Sequence, residues 1–276
     1  HFYATSLHNQ FMYNSKGMPT NGIQGFVRHI FTAIKDIKPS HVAICWDMGK
    51  ATFRNAMYTS YKQNRPAPPE ELIPQFDYVK DISEQFGFVN IGVANYEADD
   101  VIGTLAKIYS KDNEVHIVTG DRDILQCINE QVEVWLIRKG FNIYHHYTLN
   151  RFNEEYALHP LQLIDIKAFM GDSADGYPGV KGIGEKTAIK LIQSYGSVEN
   201  VLDNIESLTP GQQKKIATDK ENLILSKQLA EIYTDVPIDT TVLYKEMEYT
   251  HSLNHILSIC NEHELYVSGK YLASKF

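Results

Sequence analysis

The sequence has no long apolar runs, no closely spaced cysteines and no excess of positive charge. No apolar run approaches the roughly 20 residues that a membrane span requires, so we expect no membrane association. The three cysteines (Cys45, Cys127, Cys260) are far apart and lack metal-ligand spacing, which favours a reducing cytoplasm over a disulfide-bonded, secreted protein. The 276 residues are 43% hydrophobic and 22% charged, as in a globular protein.

The net charge of −8 argues by itself against a protein that binds nucleic acid. However, eight acidic residues are identified below as candidate metal ligands. Divalent ions bound to them would remove most of the repulsion toward a polyanion. The local distribution of charge therefore says more about function than the total.

Five carboxylates lie at the two ends of one predicted helix–strand unit. Glu97, Asp99 and Asp100 precede the helix, and Asp121 and Asp123 follow an apolar strand. Acids at a helix N-terminus are ordinary, because the helix dipole favours each by roughly 0.3–1 kcal/mol. That explanation does not cover the two acids at the strand exit, where open α/β sheets place their ligand sites. Since crowded anions repel each other, the pattern predicts a metal site.

The remaining elements follow from hydrophobic periodicity. Asp47 follows a second short apolar run, and although such a residue is more often part of a turn, its position matches that of Asp121. Strands interspersed with helices predict an α/β fold with a mostly parallel central sheet and helices on both faces. We expect a core over residues 1–160 and a helical region over 161–276. Predicted helices cover 20–37, 71–86, 161–170 and 188–195, with further short ones to 276; predicted strands cover 41–46, 89–93, 115–119, 132–137 and 141–149.

Residues 49–69 combine cations with aromatic side chains and contain no acid. A solvated loop is the simpler interpretation, since the proline-rich end of the segment cannot form a regular element. Yet this combination is also typical of single-stranded nucleic acid binding, with phosphates on the cations and bases on the rings. We favour the second interpretation; the residues are Lys50, Arg54, Lys62 and Arg65 with Phe53, Tyr58 and Tyr61.

A glycine-bearing turn follows two acids, Asp172 and Asp175, that alone would suggest only a turn. A nucleotide-binding phosphate loop requires Lys directly after its last Gly, but Glu185 intervenes and no apolar strand precedes the turn. What remains is a turn between helices, with bare backbone amides and lysines beside a helix N-terminus. Such a turn predicts a sequence-independent grip on a phosphodiester backbone; its residues are Gly179, Lys181, Gly182, Gly184, Lys186, Thr187 and Lys190.

Four of these segments, in this order and spacing, resemble the bacterial 5′ nuclease family. They are residues 61–65 (YKQNR), 96–100 (YEADD), 119–123 (TGDRD) and 171–187 (GDSADGYPGVKGIGEKT). That family includes the 5′–3′ exonuclease domain of DNA polymerase I and the stand-alone flap endonucleases. The resemblance implies an α/β nuclease core, a helical arch at about 48–70, and a helix–hairpin–helix-type DNA-binding region with its hairpin at about 177–187.

The resemblance also implies roles for individual residues. Lys62 and Arg65 match arch cations that face the scissile phosphate, and Tyr61 matches a nearby aromatic; Arg54 is a further candidate for DNA contact. Gly182 and Gly184 match the hairpin that holds the duplex, where a potassium ion can bind. The first metal cluster would consist of Asp47, Glu97, Asp99 and Asp100, and the second of Asp121, Asp123, Asp172 and Asp175.

We therefore expect a structure-specific 5′ nuclease that acts on DNA with 5′ flaps, branches or nicks. Carboxylate ligands select Mg²⁺ or Mn²⁺, and two ions about 4 Å apart would support direct hydrolysis by water. We expect a monomer in the cytoplasm, associated with the nucleoid, either stand-alone or followed by a polymerase. The family's first strand, with its own Asp, should lie just before His1. If the molecule lacks that strand, a protein that binds branched DNA without cleaving it is the alternative.

Overall fold

The computed structural model describes residues 12–49, 51–138, 143–250 and 252–276. Helices dominate the second half of the chain, as the sequence predicted. Short 3₁₀ segments follow β3 and α8. The described helices are α1 (Asn21–Ile37), α2 (Phe53–Met57), α3 (Ile73–Gln85), α4 (Ala98–Tyr109), α5 (Leu149–Tyr156), α6 (Gln162–Met170), α7 (Glu185–Tyr195), α8 (Val198–Asp203), α9 (Pro210–Thr218), α10 (Lys220–Ala230), α11 (Leu243–Glu246), α12 (Leu253–Glu262) and α13 (Tyr266–Lys275).

The described strands are divided between two small sheets. β1 (Ala43–Cys45) pairs in parallel with β2 (Val89–Ile91). β3 (Val115–Thr119) pairs in parallel with β4 (Val132–Ile137), and β5 (Tyr144–Tyr147) runs antiparallel to β4. The predicted α/β class is confirmed, and both pairs of neighbouring parallel strands bring their carboxyl ends toward helix starts and loops that carry acids.

Helix α1 shows how the sequence pattern leads to the fold. Its apolar residues Ile23, Val27 and Phe31 recur at helical spacing and are fully buried. Lys38 ends the helix in the left-handed conformation, and its amide donates to the carbonyl of Ile34 at 2.8 Å. Burial of this stripe fixes α1 in the core formed with α3, α12 and α13.

The largest hydrophobic core extends across the predicted boundary near residue 160. Ile117 of β3 and Val134 of β4 belong to the same buried cluster as Phe169 of α6 and Ile192 of α7. The helical region is therefore packed directly against the second sheet. The division into residues 1–160 and 161–276 stays a prediction.

The segment expected to form a helical arch contains one short described helix, α2. Beyond it the chain turns repeatedly through Arg65 and then runs without regular structure past Pro66, because prolines lack the amide that a helix needs. Asn55 of α2 donates its side-chain amide to the carbonyl of Tyr61 at 2.9 Å. This bond connects the helix to the turns that carry the predicted catalytic cations. Lys50 and residues 139–142, part of the segment expected to be extended, lie outside the described residues.

Candidate active site

The start of α4 gathers the first group of acids. Glu97 occupies the N-cap, and its amide donates to Asp100 Oδ2 at 3.0 Å. The next amide, that of Ala98, donates to Asp47 Oδ1 at 2.8 Å. An acid from the end of β1 thus caps a helix that starts 51 positions later in the chain.

Asp99 lies where the two predicted clusters meet. Burial raises the pKa of Asp99 to about 8, and the negative charge of Asp121 acts in the same direction. Lys62 opposes this effect, and Asp47 and Glu97 add to it. Since electrostatic effects of this size need short separations, acids from three separate segments of the chain surround one pocket.

The second group of acids is the tightest. Asp123, Asp172 and Asp175 each place a carboxylate oxygen within 4.8 Å of the others. Asp172 Oδ1 accepts the amides of Ala174 at 2.8 Å and Asp175 at 3.1 Å, which shapes the loop. Asp121 Oδ1 accepts the amide of Asp123 at 2.9 Å. The acids of the loop after β3 therefore lie close to the acids of the loop after α6.

Lys167 of α6 lies inside this second group, although it was not predicted from the sequence. Its Nζ is 2.9 Å from Asp123 Oδ1 and also bonds Asp172. Burial favours neutral Lys167, but Asp123 and Asp172 outweigh that effect and raise its pKa. The sequence did contain one signal for Lys167: it is a single lysine in the otherwise apolar second half of a predicted helix. Lys167 holds the second group together by charge.

The arch cations and Tyr61 connect the two groups. The hydroxyl of Tyr61 lies 3.3 Å from Glu97 Oε2 and 3.3 Å from Asp175 Oδ2. Lys62 Nζ is 2.7 Å from Glu97 Oε1 and 4.0 Å from Asp175 Oδ2. Arg65 pairs with Asp175 while half of its side chain stays exposed. Tyr61 itself is only 3% exposed, so the expectation that it stacks on bases is wrong; it lies between carboxylates instead.

The prediction that Arg54 contacts DNA is also wrong. Arg54 is 2% exposed, and its guanidinium makes two bonds of 2.8 Å to Asp100, which is fully buried. Burial alone would lower the pKa of Arg54, but the hydrogen bonds and charge of Asp100 raise it. A long cationic side chain at this position faces the interior because a buried carboxylate lies there to receive it.

The glycine-bearing hairpin leads into α7 as the sequence indicated. Gly182 and Gly184 are exposed, and Gly184 is the N-cap of α7. Gly182 has a φ of 80°, a conformation that favours glycine. Its carbonyl accepts a 3.0 Å bond from Lys215 in the last turn of α9, a cation that was not predicted from the sequence although it follows another lysine in that helix. Lys181, Lys186 and Lys190 are also exposed, and Thr187 is partly buried.

Gly179 does not belong to that surface, so its predicted DNA contact is wrong. It is buried, and its amide donates to Ser226 Oγ at 3.0 Å. An added Cβ would lie 2.3 Å from the amide nitrogen of Gly171 and 2.6 Å from the carbonyl oxygen of Phe169. Glycine is required here because two backbone segments approach each other closely.

The donor set fits divalent cations. Among the described residues the pocket offers carboxylate oxygens and no thiolate, and hard oxygen donors suit Mg²⁺ or Mn²⁺. The Tyr177 hydroxyl is buried beside Asp123, Asp172 and Asp175 and has no hydrogen-bond partner within the described structure. A buried hydroxyl at that position is suited to an outer-sphere hydrogen bond with a group bound to a metal ion that these carboxylates would hold.

Comparison with known families identifies the chain. A family model described as the 5′–3′ exonuclease N-terminal resolvase-like domain matches residues 1–157, and the 5′–3′ exonuclease C-terminal SAM fold matches residues 158–252. The chain belongs to the 5′–3′ exonuclease family. This confirms both the predicted family and the predicted class of enzyme, a metal-dependent nuclease.

Individual relatives agree with this assignment. A 5′–3′ exonuclease of Bacillus subtilis (strain 168) is 47% identical over 264 residues, which cover 96% of this chain and 88% of the relative. DNA polymerase I of the same strain is 40% identical over 231 residues, which cover 83% of this chain but only 26% of the polymerase. The chain thus resembles a stand-alone exonuclease along most of its length and one part of a polymerase.

Solved structures show the same fold. The T5 D15 protein co-crystallised with metal ions superposes with a TM-score of 0.65 at 22% identity, covering 90% of this chain and 91% of that one. The catalytic core of Rad2 in complex with a DNA substrate gives a TM-score of 0.58 at 17% identity, covering 92% of this chain and 85% of that one. No helix among the described residues has the length and apolar character needed to cross a membrane.

Proposed function

We propose that this chain hydrolyses phosphodiester bonds of DNA at 5′ flaps, branches and nicks, using two Mg²⁺ or Mn²⁺ ions. One observation carries the proposal: the Tyr61 hydroxyl lies 3.3 Å from Glu97 and 3.3 Å from Asp175. A single small group therefore links the two carboxylate clusters, with the arch cations beside it. The first ion would be held by the cluster at the start of α4 and the second by the acids after β3 and α6.

The charges of the pocket support two divalent ions. Four cationic side chains form ion pairs with five of the eight predicted acids, namely Glu97, Asp100, Asp123, Asp172 and Asp175. Formally, eight carboxylates and four cations leave four negative charges, the amount that two divalent cations neutralise. The four cations are Arg54, Lys62, Arg65 and Lys167.

The residues of the arch would handle the charge of the reacting phosphate. Lys62 and Arg65 reach the carboxylates from the arch, and Arg65 remains half exposed, so both can also contact a phosphate that enters the pocket. Their positive charges would stabilise the negative charge that develops during attack by water. Bound divalent ions would supply Lewis-acid activation of that water and stabilise the leaving oxygen.

The hairpin would hold the duplex part of the substrate. Gly182 and Gly184 offer an exposed backbone at the N-terminus of an 11-residue helix, a combination suited to a phosphodiester backbone. Lys181, Lys186 and Lys190 add positive charge without base-specific contacts. A potassium ion at the Gly182 carbonyl would compete with Lys215, which already donates to it at 3.0 Å.

The proposal extends to the state and location of the protein. We also infer that the protein is a monomer. A DNA substrate and the absence of cysteine spacing typical of disulfide frameworks support a cytoplasmic protein associated with the nucleoid.

The test is the release of a labelled 5′ flap from branched DNA, measured with Mg²⁺ and with EDTA. Asp121→Asn should abolish cleavage while binding of the same DNA persists, because the variant removes a metal ligand and leaves the hairpin intact. Asp112→Asn is the matched control, since Asp112 is exposed and lies just beyond the opposite end of α4.

Cleavage by the Asp121→Asn variant at the wild-type rate would refute the assignment of the site. Tight binding of branched DNA by the wild-type protein with no Mg²⁺-dependent cleavage would instead support a non-cleaving binding protein. Cleavage that is equally fast on linear duplex and flap substrates would refute the proposed structure specificity.

A further inference from the structure

Every acceptor position of Asp100 is already used inside the protein. Oδ1 accepts from Arg54 Nη2 at 2.8 Å and from the amide of Tyr233 at 2.9 Å. Oδ2 accepts from Arg54 Nη1 at 2.8 Å and from the amide of Glu97 at 3.0 Å. A carboxylate has about four lone-pair sites, so this one has none left for a metal ion. Its exposed fraction is 0%.

The preceding residue, Asp99, has a different environment. Asp99 lies among the carboxylates of Asp121, Asp47 and Glu97. Successive side chains on a helix point in directions about 100° apart, so two adjacent acids at the start of α4 cannot both face the same pocket. Asp99 faces the other acids, and Asp100 faces Arg54.

Arg54 connects three segments of the chain. Besides its two bonds to Asp100, Nε donates to the carbonyl of Leu229 at 3.2 Å and Nη2 to that of Glu231 at 2.7 Å. The guanidinium therefore holds α2, the start of α4 and the end of α10 in one arrangement. The planar, forked geometry of arginine permits this set of bonds, which a lysine cannot make.

The same arrangement reaches the arch. Asn55, the residue after Arg54, donates to the carbonyl of Tyr61 at 2.9 Å, and the Tyr61 hydroxyl lies 3.3 Å from Glu97. We propose that Arg54 and Asp100 are a pair of positioning residues, with Asp100 acting through Arg54 and not as a metal ligand, and that the pair fixes the arch relative to the metal-binding carboxylates. This inference rests on the proposed function.

The energetics of buried ion pairs allow a test that distinguishes a positioning role of Asp100 from a role as a metal ligand. Removing one partner leaves an uncompensated charge in the interior, whereas replacing both partners by neutral groups is often tolerated. If Asp100 acts through Arg54, a second substitution at Arg54 should relieve the damage caused by Asp100→Asn. A metal ligand would gain nothing from that second substitution.

The experiment compares Asp100→Asn, Arg54→Met and the double variant with Asp99→Asn as the ligand control. Mn²⁺ binding is measured by electron paramagnetic resonance, unfolding by thermal melting, and flap cleavage as kcat and KM. We expect kcat of Asp100→Asn to fall about tenfold or more. The double variant should melt higher than Asp100→Asn and bind as many Mn²⁺ ions as the wild type, while Asp99→Asn loses affinity for Mn²⁺.

A conservative substitution keeps the test decisive if the neutral variants fail to fold. Arg54→Lys retains the buried positive charge but loses the fork, so we expect a lower kcat with unchanged KM and unchanged Mn²⁺ affinity. Wild-type kcat in Arg54→Lys would overturn the proposal. So would Mn²⁺ binding by the double variant that is as weak as in Asp99→Asn. If the wild type does not cleave DNA at all, the proposed function fails, but the Mn²⁺ and melting comparisons still decide the role of Asp100.

Discussion

Removing divalent ions should cost this protein more stability at pH 8 than at pH 6. The reason is Asp99, whose pKa burial raises from 3.8 to about 8, with Asp121, Asp47 and Glu97 contributing. Because this pKa is higher in the folded than in the unfolded protein, protonated Asp99 favours the fold. In the ion-free protein that contribution is fully present below about pH 4, the pKa in the unfolded chain, and is lost as the pH rises through about 8.

The size of the effect follows from the same numbers. A pKa raised from 3.8 to about 8 corresponds to a ceiling of about 6 kcal/mol of stability lost by the ion-free protein over that range. A metal ligand must be ionised. Asp99 would be ionised in about one molecule in a hundred at pH 6 and in about half at pH 8, so apparent Mg²⁺ affinity should rise about 50-fold, or about 2.3 kcal/mol.

The assay is thermal melting with excess Mg²⁺ or with EDTA at both pH values. The increase in Tm caused by Mg²⁺ should be about 5 °C or more larger at pH 8 than at pH 6. Asp99→Asn should show a smaller increase that no longer depends on pH, and Asp112→Asn should behave like the wild type. An equal Mg²⁺ effect at the two pH values in the wild type would show that Asp99 does not ligate the ion.

Three further predictions concern the arch and the hairpin. Lys62→Ala should lower kcat strongly with little change in DNA affinity, measured by single-turnover cleavage and by binding titration; a change in affinity alone would make Lys62 a tether. Lys215→Ala should weaken DNA binding and reduce the slope of log affinity against log salt by about one. The control is Lys214→Ala, at the neighbouring exposed lysine; if the contact of Lys215 with the hairpin matters, this variant should change the affinity and the salt slope less. Gly179→Ala should cost more than about 2 kcal/mol in denaturant unfolding, and Gly184→Ala, where nothing lies within 4 Å of the added Cβ, should cost less than about 1 kcal/mol; equal losses would contradict the tight backbone contact.

The elements and the acids were predictable because they depend on local patterns. Strands β3 and β4 begin and end at the residues that hydrophobicity indicated. Asp47 and Asp121 approach the same residue, since both act on the pKa of Asp99. The expected common edge of one sheet does not explain this approach, because the strands that precede them belong to separate sheets. The roles of these acids as metal ligands stay predictions.

The directions of individual side chains were not predictable in the same way. Arg54 and Arg65 lie in the same cationic segment, yet one is buried and the other half exposed. Arg54 pairs with the fully buried Asp100, whereas Arg65 pairs with Asp175, whose side chain is 13% exposed. Gly179 and Gly182 are three positions apart, yet one packs against backbone and the other is exposed. Lys167 escaped notice because its partners lie in two different loops. Tertiary contacts decide these cases, and a single sequence does not contain them.

Asp175 shows why the arch and the carboxylates should respond to mutation as one unit. Its carbonyl accepts the amide of Lys62 at 2.7 Å, which holds Lys62 at a φ of 57°, a conformation that non-glycine residues seldom adopt. Its carboxylate pairs with Arg65 and lies 3.3 Å from the hydroxyl of Tyr61. The loop that supplies a predicted ligand of the second ion thus also fixes the backbone of the arch. Residues more than 100 positions apart in the chain are therefore in direct contact, and we expect a substitution in the arch to alter the loop that carries Asp175 as well as the predicted contact with DNA.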